Sequence, residues 1–230
     1  MSNLVWAVTA FVGTHFLMSH PLRAPLVARL GENGFRGVYS LVSLVTFGWA
    51  VMAFRAAPVT EPLWVAGDGI WAIASLLMLE GAILFMGSLV GNPALPAPGA
   101  AALATKPVHG VFHITRHPMM WGFALWAIAH ALVAPYGAQL VLTLGMLVLA
   151  LGGSAGQDRK KAVLMGAAWK DWAARTSFVP YAAQLSGRAP WKTGWPGLRL
   201  VLLGTIVWLL VTYVHPMLGA PVAGIWRWVY

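Results

Sequence analysis

Apolar runs close to twenty residues long recur along the whole chain, and this is the feature that most restricts its fold. Each is near the length a helix needs to cross the hydrocarbon of a bilayer. With 59% hydrophobic and only 9% charged residues, the chain has too little polar surface to enclose these runs in a water-soluble core. Backbone polar groups in lipid must be satisfied within the segment, which favours helices. The pattern predicts helices near 2–20, 37–54, 69–91, 117–134, 137–154 and 198–214. The expected fold is therefore all-α, a polytopic membrane bundle of about six transmembrane helices forming one domain over residues 1–230. Residues 2–19 lack a basic leader and a small-x-small exit, and they hold His15 with His20 just beyond. They read as a retained helix rather than a cleaved signal.

The net charge of +9 resides between the apolar runs. Cations so placed set topology and meet anionic headgroups, so no nucleic-acid partner is expected. With six spans, 13 Lys and Arg fall on one side, and only Arg55 and Arg227 on the other. The positive-inside rule then predicts both termini in the periplasm of a bacterial inner membrane. Trp6, Trp64, Trp121, Trp226 and Trp228 lie near span ends, where indoles favour the interface. The absence of cysteine removes disulfides, thiolate haem ligation and cysteine nucleophiles.

Two connecting segments stand out. Residues 91–105 (GNPALPAPGAAALAT) are rich in Pro, Gly and Ala, which argues for a flexible connection rather than a helix. Over 157–175, Ala162, Met165, Trp169 and Trp172 share one helical face among Lys160, Lys161, Lys170, Asp171 and Arg175. That pattern predicts an amphipathic helix lying on the cytoplasmic membrane surface.

Ionisable side chains within a membrane are costly, so each is a site candidate. His15 falls late in the first helix, His130 late in the fourth, and His215 closes the last. His109, His113 and His117 recur every four residues, the last within Arg116–His117–Pro118. Glu80 lies deep in the third span, where it must be protonated or pair with a His or Arg of another helix; Asp68 is expected at its solvated outer end. Zinc usually takes three or four ligands, whereas haem iron needs one or two axial ligands and an apolar slot between helices. Without C-x-x-C-H any haem is of the non-covalent b type. Depth limits the choice of histidines: His130 lies thirteen residues past His117, roughly 20 Å along a helix. Pairing His15 with His117, or His130 with His215, satisfies depth at least as well as pairing His15 with His130.

Four blocks in order, THFLMSHPLR with GFRGVYSLVSL, HGVFHITRHPMMWGFALWAIAHAL, QDRKKAVLMGAAWKDWAARTSFVPY and YVHPMLG, resemble the NnrU family over nearly the whole chain. That family is linked to nitrite and nitric oxide metabolism and is similar to plant 15-cis-zeta-carotene isomerase, an integral membrane haem b enzyme. The resemblance implies haem b, with His15 and His130 matching the isomerase's ligand histidines, and an apolar polyene as substrate. Ala127 stands where the isomerase has a cysteine, so a redox switch of ligand to that cysteine has no counterpart here. The R-H-P motif with G-x-x-W-x-x-W-x-x-R-T-S-x-x-P is also similar to isoprenylcysteine carboxyl methyltransferases, which implies S-adenosylmethionine near Arg116 and His117. A third implied role is a non-catalytic accessory or sensor protein. The oligomeric state is open at this level.

Overall fold

The computed structural model describes residues 1–95 and 99–230, and among these there is no strand. The helices are α1 (Ser2–Ser19), α2 (Arg23–Arg55), α3 (Asp68–Gly87), α4 (Ala100–Ala104), α5 (Pro118–Val133), α6 (Gly137–Met165), α7 (Ala167–Arg175), α8 (Ala182–Leu185) and α9 (Leu198–Val214). Four segments are long and apolar enough to cross a membrane: α2, α3, α6 and the stretch from α9 to Leu218. Helix α5 is apolar but shorter, and the 18-residue α1 packs alongside. Leu41, Leu44, Met52, Leu144, Leu202 and Leu210 all face outward. Such continuous exposed apolar surface is a liability in water and the normal contact surface in lipid, and the protein is embedded in a bilayer.

Helix α1 packs on α2 and α6, α5 packs on α3 and α6, and α3 also carries α9. Lipid tails remove most of the hydrophobic drive between helices, so close approach through small residues holds the bundle together. At the α3–α5 crossing a Cβ on Gly122 would lie 3.0 Å from the Gly81 carbonyl oxygen, and one on Gly81 would lie 3.3 Å from that of Gly122. Along α6, Gly145 and Gly152 face Val8 and Phe16 of α1, and Gly156 faces His20 just beyond it, in the same manner.

The two ends of the bundle are distinct. At one, the Gly137 N–H donates to Thr60 Oγ1 and the Leu63 N–H to the Pro135 carbonyl, each at 3.1 Å, and Arg227 pairs with Asp68 at 3.3 Å. At the other, Arg175 donates to the Ala104 and Lys106 carbonyls, and Lys161 to those of Pro93 and Leu95. The second, with Lys106, Lys161 and Arg175, is the basic end.

Four expectations need correction. The helix placed near 37–54 follows a further helical segment that begins at Arg23, across a kink at Gly31, so Arg23, Arg29 and Arg36 lie on helical turns rather than in a loop. Ala, Leu and Arg fill most of 23–30, Pro25 falls in the first turn where its missing N–H is tolerated, and Gly31, at φ 69° and ψ 170°, interrupts the helix at a kink. The segment 91–105 includes the short helix α4, entered from Gly99 at φ 79°, because AAALA has high helix propensity; residues 96–98 lie outside the described residues. The helix placed near 137–154 runs on to Met165, and Gly166, at φ 57° and ψ −125°, separates it from α7. Ala162, Met165, Trp169 and Trp172 do share a face, but it packs on Val111, Phe112, Ile114 and Leu84 rather than on lipid. Trp169 and Trp172 are each only 1% exposed. Periodicity reveals an apolar face and not what covers it.

Candidate functional site

A cavity of about 400 Å³ lies between α1, α2, α5 and α6 toward the basic end. Phe11, Phe16, Met120, Phe123, Met146 and Leu149 make its apolar wall, while His20, Gln157 and Lys160 supply polar groups. Beside it, a shallower groove of about 400 Å³ runs between α1 and α2 past Ser43, Leu44 and Phe47. Phe11, His15 and Tyr39 belong to both spaces. Leu44 and Phe47 are exposed on the outer surface, so the groove joins the cavity to the lipid-facing side of α2.

His15 donates from Nδ1–H to the Phe11 carbonyl at 2.7 Å, so the neutral ring carries its lone pair on Nε2. Its ring is held edge-on by Phe11 at 4.4 Å and Tyr39 at 5.4 Å between centroids. His20, one residue past α1, stacks on Phe16 and packs against Gly156. Burial, then the neighbouring Lys160 and Arg159 charges, hold its imidazole below the ordinary histidine range.

His130 does not line this cavity. Its Nδ1–H donates to the Trp126 carbonyl at 2.8 Å, and its ring meets His215, 6.2 Å away between centroids. His215 in turn donates to the Pro221 carbonyl at 2.8 Å. The structure therefore brings together His130 with His215, and it does not bring His15 to His130. The reason is packing and depth: α1 lies on α2 and α6 while α5 lies on α3 and α6, and each histidine sits near the C-terminus of its helix, α1 ending at the basic end of the bundle and α5 at the other. An Nδ1–H anchored on a carbonyl, with Nε2 free, is the arrangement metal-ligating histidines use. By donor chemistry and apolar surroundings, His15 fits a haem ligand; a single iron shared by His15 and His130 does not fit this packing. No cluster of three or more His, Asp or Glu suited to a metal ion occurs among the described residues.

Arg116 and His117 form a separate centre. Pro118 opens α5 with His117 as its cap residue, and Asp158 projects from α6 to meet both side chains. His117, its side chain wholly buried, donates from Nε2–H to Asp158 Oδ1 at 2.7 Å, and Arg116 Nε donates to Asp158 Oδ2 at 2.9 Å. Phe178 closes the cluster, with its ring 5.5 Å from both the His117 ring and the Arg116 guanidinium carbon. Neither Arg116 nor His117 lines the cavity. Their partner Asp158 had one sequence signal, a carboxylate among basic residues one position from Gln157, which does line it.

Glu80 pairs with neither a His nor an Arg. It accepts the Tyr181 hydroxyl at 2.8 Å, and Tyr181 itself has a left-handed backbone at φ 59°. Burial, followed by the Glu80 charge, pushes the Tyr181 phenol well above its usual range. Asp68 is exposed, as expected, and also pairs with Arg227. Sequence spacing gave no sign of Tyr39, Gln157 or Lys160 as cavity residues, because two other helices, α2 and α6, bring them to His15.

Among known proteins, the chain is 34% identical over 79 residues to 15-cis-zeta-carotene isomerase of Zea mays, covering 34% of this chain and 22% of that one. It is 35% identical over 79 residues to the Arabidopsis thaliana 15-cis-zeta-carotene isomerase, with the same coverage. The match thus spans about a fifth of the length of these curated relatives. No solved structure matches the chain. The model of the family described as NnrU protein matches residues 3–222, so the chain belongs to the NnrU family.

Proposed function

We propose that this protein is a membrane-embedded cis–trans isomerase of a polyene, working at His15, with haem b as its cofactor and the bacterial inner membrane as its location. The observation that carries this reading is His15 itself, an anchored imidazole at the junction of an apolar cavity and a groove that opens toward lipid. A long apolar substrate partitions into the bilayer and needs lateral access of this kind. The partial likeness to 15-cis-zeta-carotene isomerase supports the same reaction class.

Haem b supplies a redox-active Lewis-acidic iron able to weaken the double-bond character of a conjugated chain. His15 is the residue that would hold it. Phe11 and Tyr39 keep the imidazole in one orientation, and the surrounding Phe and Met side chains exclude water. Both termini are assigned to the periplasm on the charge partition.

The test is to express the chain in cells accumulating a cis polyene and to measure isomer ratios by chromatography. The wild type should shift the ratio toward trans, and His15→Ala should not. Unchanged ratios with the wild type, in membranes where the protein is folded and haem is plentiful, would overturn the reading.

A further inference from the structure

The basic end of the cavity carries a cation with no direct partner among the described residues, the nearest opposing charge being that of Glu32, itself paired with Arg23. Lys160 lines the cavity, half-buried, and forms no hydrogen bond or ion pair among the described residues. Every carboxylate at this end is already engaged. Glu32 holds Arg23 at 2.6 Å, Asp158 holds Arg116 and His117, and Asp171 holds Arg175. His20 and Gln157 stand beside Lys160 and add hydrogen-bonding capacity. The remaining wall is aromatic and aliphatic.

A neutral hydrocarbon would satisfy that wall and leave the ammonium group partly desolvated with no counter-charge in contact, an unfavourable arrangement. We infer that the cavity takes a conjugated apolar molecule ending in a carboxylate, with its apolar body beside His15 and its carboxylate on Lys160. The inference rests on reading the cavity as the working site, and it narrows the ligand from a hydrocarbon to an acidic amphiphile. The volume of about 400 Å³ lies low in the range of roughly 300–1,000 Å³ for small-molecule pockets, which suits one such molecule and not a two-chain phospholipid. Two sources share this chemistry: a polyene acid and the propionate-bearing haem.

Binding to the full-length protein in neutral detergent separates them. One arm titrates cis-parinaric acid, a fluorescent polyene acid, against its methyl ester; the other titrates haemin against its dimethyl ester. In at least one arm the acid should bind about tenfold tighter than the ester, the scale of one charge-assisted contact. Lys160→Met should abolish that preference while ester binding persists, and Lys160→Arg should keep it. A preference in the parinaric arm assigns the cavity to substrate, and one in the haemin arm assigns it to cofactor. Equal binding of acid and ester in both arms of the wild type, or a preference untouched by Lys160→Met, would overturn the inference. Because the wild-type comparison decides first, a variant that fails to fold does not rescue it. An acid preference without any change in polyene isomer ratios would leave this assignment standing and remove the isomerase reading; the reverse pattern would do the opposite.

Discussion

His130 of α5 and His215, one residue past α9, meet edge-on with ring centroids 6.2 Å apart, each anchored through Nδ1 on a backbone carbonyl. This pair stands apart from the cavity at His15. His130→Ala should therefore leave ligand binding at the cavity unchanged, as read by the cis-parinaric acid titration. A loss of binding equal to that of His15→Ala would show that the two histidines act at one site.

Asp158 neutralises Arg116 and the buried His117 together. Replacing it with Asn leaves a half-buried guanidinium without its counter-charge, and breaking a buried pair in this way costs about 3–5 kcal/mol. The thermal midpoint of Asp158→Asn in detergent should fall by many degrees. A midpoint within a degree or two of wild type would mean that the cluster does not hold α5 to α6.

How much of this was legible in the sequence differs between fold and site. The apolar runs located the spans because hydrophobicity along a single helix is a local property; α9 begins and ends where the pattern placed it, and α5 differs by one residue at each end. The Trp169–Trp172 face was visible by spacing, but its partner Phe112 lies in another segment and spacing alone does not name it. The same limit applies to the site. His15 stood out as an ionisable group in an apolar run, whereas Tyr39 and Lys160 reach it from α2 and α6 through packing set by Gly152 and Gly156.

Those glycines carry a prediction of their own. A side chain at Gly145 would run into Val8, so Gly145→Leu should push α1 off α6 at a cost of about 1–3 kcal/mol. Gly153 has open space around its Cβ position, and Gly153→Ala is the matched control that should stay near neutral. Equal thermal midpoints for the two variants would contradict the packing.

Tyr181 keeps its proton in the folded protein well above the pH at which a free phenol loses it. Because its folded pKa is raised, its contribution to stability is complete below the unfolded value, about 10, and is lost as pH climbs beyond it. Tyr181→Phe should lower stability at neutral pH by about 1–3 kcal/mol, since Glu80 loses its donor. It should also flatten the decline above pH 10. Parallel alkaline profiles for the two proteins would contradict this.

The absorption spectrum of the purified protein, loaded with haem, tests the role of His15 most directly. The wild type should show a Soret band, His15→Ala should remove or shift it, and His130→Ala should leave it in place. A colourless wild-type protein from haem-replete cells, or a Soret band indifferent to His15→Ala, would contradict the assignment of the cavity as the haem-dependent working site.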